Sequence, residues 1–247
     1  DDKSFLEKSG IESFNKVSPK NFTAEDYDSL NIDVRFDYDE KSDQITFIIA
    51  DHGIGMDEDG LDALCNIGQG WNQRREIANR FDEFPEWLRP IGGFGIGTLS
   101  TFLLSNQVQF KTKSKNNPHY DVKINSPING GDGTIEKLII DSEDKISGTE
   151  VIVKVDFNKY YYEIMRYFRN EKMEIKENLQ YANIDNSNIK EQFIYESLNT
   201  LINNLIVNSF FSIKIASLNE LYEKSFRRID LNRQEDKNIL NKKLKVK

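Results

Sequence analysis

Between Ile32 and Tyr38 apolar and polar side chains alternate one by one, Ile32, Val34, Phe36 and Tyr38 against Asp33, Arg35 and Asp37. That period of two predicts a strand with one wet face. The polar stretch from Asp39 to Asp43 turns the chain into a β-rich apolar run, Ile45-Thr46-Phe47-Ile48-Ile49-Ala50, which stops at Asp51. The two runs make a hairpin. Further strands are expected over Val108 to Lys113, Tyr120 to Asn125, Thr134 to Ile140 and Thr149 to Phe157, with Asn129-Gly130-Gly131-Asp132-Gly133 as a loop between two of them. The apolar spacing of Thr98 to Leu104 reads as a helix. From Asn158 the pattern changes. Tyr160 to Arg169 predicts a helix with an aromatic stripe, and Asn183 to Asn188 is a polar break. Over Glu191 to Val207, residues Ile194, Leu198, Leu201, Ile202, Leu205 and Ile206 share one helical face, and Phe210 to Ile215 looks like a strand. The expected fold is α+β, a two-layer sandwich in which a mostly antiparallel mixed sheet is covered by helices on one face. Residues 1–157 form the principal domain in this reading, and 158–247 a C-terminal helical and mixed extension.

Composition narrows the classes of function. Lys and Arg total 33 against 41 Asp and Glu, a net charge of -8 over 247 residues, which disfavours a general nucleic-acid surface. Lys111, Lys113 and Lys115, and the terminal Lys242, Lys243, Lys245 and Lys247, read as solvated surface. Without a basic surface beside it, the aromatic stripe reads as packing rather than base stacking. The single cysteine, Cys65, forbids an internal disulfide and suits a reducing compartment; it reads as a small buried apolar residue. No signal peptide and no run of about twenty apolar residues is present, so a cytoplasmic place without membrane insertion is expected. His52 and His119 are too few and too far apart to suggest a metal site.

Two glycine-rich segments carry the candidate chemistry. Asp51-His52-Gly53-Ile54-Gly55-Met56 follows an apolar strand, so a short acid emerges where the strand stops and glycines let the chain turn away. An acid at the mouth of a buried pocket accepts from an exocyclic amine. Downstream, Gly92-Gly93-Phe94-Gly95-Ile96-Gly97 precedes Thr98-Leu99-Ser100, so unblocked backbone N–H groups converge where a helix begins, which suits phosphate. Each segment alone reads as readily as a turn. A dinucleotide fold would place its glycines directly after the first strand, and a P-loop would end in Gly-Lys-Ser/Thr, whereas Gly97 is followed by Thr98.

A third element, Ser147-Gly148-Thr149-Glu150-Val151-Ile152-Val153, is a strand opened by Gly-Thr. In this order the three segments, spanning roughly Ile32 to Phe157, resemble the GHKL superfamily of ATPases, which includes gyrase, the ninety-kilodalton heat-shock chaperones, histidine kinases and mismatch-repair proteins. The loop at Gly92 to Ser100 looks most like the chaperone version. The resemblance implies ATP and Mg2+ as ligands, and a chaperone-like conformational switch that binds and hydrolyses ATP. It implies that Asp51 accepts from the adenine amino group, that Gly53 and Gly55 shape the turn and admit the base, and that Met56 packs near the ring. Thr149 would support the adenine through its hydroxyl, and Asn66 would line the pocket where a nucleotide lid begins. Gly92, Gly95 and Gly97 would wrap the phosphates, with Phe94 anchoring the loop, and Gly93 and Ile96 would be further nucleotide-binding positions. A protein partner or client and a homodimer are further implications. One departure stands out: the family's catalytic helix bears a Glu and, four residues on, a magnesium-holding Asn. Glu12 and Asn15 lie three apart after Gly10, which is a poor helix interior residue, so no catalytic residue and no metal ligand is assigned, and the Asn is expected upstream. Two alternatives stay open, a binding-only nucleotide sensor without turnover and a DNA-handling ATPase of the same superfamily.

Overall fold

Among the described residues, alternating apolar positions become a mostly antiparallel set of eight strands with four helices, an α+β architecture as expected. The computed structural model describes residues 16, 31–65, 97–114, 117–128, 133–140, 147–171, 186–205 and 212–226. In chain order the elements are β1 (Ile32–Asp39), β2 (Gln44–Asp51), α1 (Glu58–Cys65), α2 (Gly97–Thr101), β3 (Gln107–Lys113), β4 (His119–Asn125), β5 (Ile135–Ile140), β6 (Gly148–Asp156), α3 (Phe157–Asn170), α4 (Ser187–Leu205), β7 (Ile213–Ser217) and β8 (Glu223–Phe226). The described residues fall into two compact units, one within Gly53–Thr149 and the other combining Tyr27–His52 with Glu150–Lys247. Among them, no helix is long and apolar enough to cross a membrane.

In the second unit the strands lie in the order β6-β2-β1-β7-β8. β1 and β2 form the expected hairpin, from Ile32 opposite Asp51 to Asp39 opposite Gln44. β7 runs parallel to β1, with Ile32 beside Ile213 and Phe36 beside Ser217, which makes the sheet mixed. A parallel neighbour needs a crossover connection, and α3 and α4 lie in it. Their aromatic residues cover one sheet face. Phe47 meets Tyr160 at 5.2 Å between ring centroids, Tyr38 meets Phe157 at 5.7 Å, and Phe193 of α4 packs edge-on against Phe157 and Tyr160. The aromatic stripe is therefore mainly packing, with Tyr162 and Tyr167 left exposed. The buried Tyr160 hydroxyl lies 2.7 Å from Ser197 Oγ, and burial raises its pKa far above the usual phenol value.

The hairpin turn is tied to both helices through one carboxylate. Asp43 adopts φ 53°, a conformation Asp tolerates better than most residues. Its Oδ1 accepts from Lys190 Nζ at 2.6 Å and from Tyr38 Oη at 2.7 Å, and its Oδ2 accepts from Asn158 at 3.1 Å. Burial opposes the Asp43 charge, but the hydrogen bonds from Lys190 and Tyr38 outweigh it and hold the carboxyl below its usual pKa. Lys190 is raised for the reciprocal reason: burial opposes its charge and the Asp43 hydrogen bond prevails.

Several boundaries differ from the expected ones: β7 runs to Ser217 and not Ile215, α3 starts at Phe157 and not Tyr160, and α4 starts at Ser187, inside the expected polar break. Two more differ for reasons the hydrogen bonds show. β6 ends at Asp156 and not at Phe157, because the Asp156 carboxylate accepts from Lys159 N at 2.9 Å and caps α3, making Phe157 the first helical residue. α2 stops at Thr101, short of the expected Leu104. Beyond it the chain closes tight turns, Phe102 N to Leu99 O at 3.1 Å and Leu103 N to Ser100 O at 3.2 Å. Ser and Thr at 98, 100 and 101 are weak helix formers, and the Ser105 hydroxyl donates to the Gln107 carbonyl at 2.7 Å, turning the chain toward β3. β8 was not expected; it is a short strand whose Glu223 pairs with Lys214 of β7 at 2.9 Å. In the first unit β5-β4-β3 form an antiparallel meander with Val108, Phe110, Tyr120, Val122 and Ile124 buried.

Candidate functional site

The Asp51 to Met56 segment begins at the last residue of β2, where Asp51 is exposed opposite Ile32. His52 turns back to the hairpin, its Nε2 3.2 Å from Asp33 Oδ2. In the first unit, Gly53 to Met56 continue as a loop that is fastened at two points. Gly55 has φ 67°, and a Cβ built on it would strike the carbonyl of Lys113 and lie 2.9 Å from Ser114 N. Only glycine fits there, for both conformation and space. The next residue, Met56, donates its backbone N–H to Thr112 Oγ1 at 2.8 Å.

Thr112 is the centre of this arrangement. Its side chain is 1% exposed and continues the inward row of Val108 and Phe110 on β3. Besides Met56, its hydroxyl reaches the Gly148 carbonyl at 3.2 Å and Thr149 Oγ1 at 2.9 Å. Gly148 has φ 145°, which favours glycine and lets the chain enter β6 with its carbonyl turned toward Thr112. One hydroxyl thus joins the Gly-x-Gly-Met loop to the Gly-Thr strand, two segments far apart in sequence. Thr149 itself is half-buried.

After the loop, Asp57 caps α1, accepting from Gly60 N through its side chain and from Leu61 N through its carbonyl, each at 2.9 Å. Glu58 then bonds the Tyr120 hydroxyl at 3.3 Å and Lys137 Nζ at 3.4 Å, and Lys137 sits 4.4 Å over the Tyr120 ring. Burial, and then the Glu58 charge, raise the Tyr120 pKa. Cys65, the last residue of α1, is half-buried, and burial and Asp62 push its thiol pKa up, so it is a poor nucleophile. Within the described residues, no cluster of three or more His, Cys, Asp or Glu is arranged to hold a metal ion.

Of the residues expected at the site, Gly55, Met56 and Thr149 are brought together around Thr112. Gly97 is the first residue of α2. Asn66, Gly92, Gly93, Phe94, Gly95 and Ile96 lie outside the described residues, as do Glu12 and Asn15. Sequence reasoning missed Thr112. Its signal was a hydroxyl at an inward position of a strand whose other inward residues, Val108 and Phe110, are apolar. It also missed the ion pair of Arg35 with Glu150, on β1 and β6, which leaves Arg35 Nε buried without a hydrogen-bond partner.

No family model matches the chain. It is 29% identical over 135 residues to the TNF receptor-associated protein 1 homolog, mitochondrial, of Dictyostelium discoideum, an alignment covering 54% of this chain and 18% of that relative. The likeness is distant and partial, and it is compatible with a GHKL-type fold. The chain therefore spans less than a fifth of the length of the relative it matches.

Proposed function

We propose that this chain carries an ATP site of the GHKL type and works as a chaperone-like, nucleotide-driven conformational switch. The observation that carries the proposal is the Thr112 hydroxyl, which draws the Gly53 to Met56 loop and the Gly148-Thr149 strand entry to one place. These are the segments that the resemblance assigns to the adenine, and Thr149 at their junction is half-buried. The partial likeness to the Dictyostelium protein supports the same reading.

In this proposal Asp51 accepts from the adenine amine and Thr149 supports the ring. Gly92 to Gly97 wrap the phosphates, and the segment from Asn66 to Arg80 closes as a lid when the γ-phosphate is present. Bound magnesium would neutralise charge on the phosphates; no residue of this chain is assigned to hold it. Turnover, a homodimer, a protein client and a cytoplasmic place belong to the same proposal. The test is calorimetric titration of ADP and ATP into the chain and its Asp51→Asn variant. A charged acceptor facing a base amine is worth about 1.5–3 kcal/mol, so the variant should bind at least about tenfold more weakly. Unchanged affinity in a folded variant would make Asp51 a turn residue and sink the purine assignment.

A further inference from the structure

We propose that the cross-strand pair Thr112 and Tyr120 holds the Gly53 to Met56 loop and the start of α1 in their binding position before any ligand arrives, which makes both of them positioning residues of this site. The inference rests on the nucleotide reading above. Thr112 of β3 and Tyr120 of β4 lie directly opposite each other and are 1% and 2% exposed. Their hydroxyls reach two residues that stand two apart where the loop runs into α1. The Met56 N–H donates to Thr112 Oγ1 at 2.8 Å, and the Tyr120 hydroxyl donates to Glu58 Oε1 at 3.3 Å. Just before them, Gly55 sits against the Lys113 carbonyl with no room for a Cβ.

Water does not readily replace these bonds. A threonine hydroxyl has one proton to give and two lone pairs. The Gly148 carbonyl, 3.2 Å away, can only accept, so it takes the Thr112 proton, and the two lone pairs accept from the Met56 N–H and from the Thr149 hydroxyl at 2.9 Å. Every bonding capacity of Thr112 is then filled inside the protein, and losing the hydroxyl would leave three polar groups without their partner. Tyr120 is braced as well, since Lys137 Nζ lies 4.4 Å over its ring and bonds the same Glu58 oxygen at 3.4 Å. A loop whose exit is held by two buried side chains on adjacent strands has little freedom left to lose when a ligand binds. Ordering a loop during binding weakens affinity, so a loop ordered beforehand binds more tightly.

The experiment pairs hydrogen exchange of the Met56 amide with calorimetric titration of ADP. In the wild type the Met56 N–H should be protected without ADP and gain little when ADP is added. Thr112→Val keeps the shape and removes the hydroxyl. Without ADP it should exchange the Met56 amide at least about tenfold faster, and it should regain protection with ADP while binding it at least about tenfold more weakly. Thr112→Ser should restore both. Tyr120→Phe removes one hydroxyl from an intact ring and should weaken ADP about two- to fivefold, so it carries the test where the Val variant does not fold. A general loss of fold lowers the fraction of chain that binds and leaves the affinity of the rest unchanged, so stoichiometry separates it from a loss of positioning. Fast Met56 exchange in the ADP-free wild type overturns the inference and leaves the nucleotide reading standing. Wild-type ADP affinity in folded Thr112→Val and Tyr120→Phe does the same, as does a Ser variant no better than Val. No ADP binding by the wild type removes the nucleotide reading and the positioning role with it.

Discussion

At the scale of single residues, the loop after β2 depends on the absence of one side chain and the presence of one hydroxyl. Gly55 lies where a Cβ would meet the backbone of Lys113 and Ser114, and neither can move without breaking the end of β3. Backbone cannot yield as the tip of a side chain can. Gly55→Ala should therefore lose stability from two sources, about 1–2 kcal/mol for the left-handed conformation and about 1–3 kcal/mol for the overlap. Urea denaturation should show a total of at least about 2 kcal/mol. Gly60 is the comparison: its Cβ would meet only the side chains of Met56 and Asp57, none nearer than 3.3 Å, so Gly60→Ala should change stability by less than about 1 kcal/mol. Equal losses at the two positions would contradict the close approach of Gly55 to β3.

Among the elements, α3 shows how a strand and a helix share one boundary residue. Asp156 ends β6 in an extended conformation and caps α3 through Lys159 N, which lets the buried Phe157 begin the helix directly under Tyr38 and Phe193. The carboxylate also lies at the positive end of the helix dipole. Asp156→Ala should cost about 1 kcal/mol, and Asp156→Asn, which can still cap, a smaller amount. Melting temperatures of the three proteins check the order. If Asn proves as costly as Ala, the cap acts through its charge and not through the hydrogen bond to Lys159.

On the scale of the molecule, the Asp43 cluster links pH to stability in the unit that holds β1, β2, α3 and α4. The Asp43 pKa is lowered on folding, so its contribution is present above the usual carboxylate value of about 4 and is lost as pH falls through the lower folded value. Lys190 is raised, and Tyr38 is raised by burial and by its bond to Asp43, so their contributions hold below about pH 10 and are lost as pH rises beyond it. The difference in melting temperature between the wild type and Asp43→Asn should be greatest from about pH 5 to 9 and should shrink at both ends. A difference that stays constant from about pH 2 to 11 would show that Asp43 serves only to shape its turn.

Much of this was legible in the chain itself. The period of two in 32–38 and the β-rich apolar run of 45–50, with polar residues between, determined the β1–β2 hairpin, because burying one face of a strand leaves little choice of register. The glycines that follow β2 marked the turn in which Gly55 has its positive φ, since few other residues turn a chain that way. The parallel pairing of β7 with β1 was not legible, for it depends on the α3 and α4 crossover, and nothing local to either strand encodes a neighbour so distant in sequence. Thr112 was hidden for the same reason. Its hydroxyl has meaning only once folding sets Met56, Gly148 and Thr149 around it, and three hydrogen-bond partners from distant segments leave no spacing in the sequence to read. The sequence by itself determined the segments that form β1 to β7 and where the chain must turn, because those follow from side-chain period and backbone freedom; β8 it did not. The tertiary structure alone decided which polar groups share a buried proton, because that depends on distances of about 3 Å between segments the chain keeps far apart.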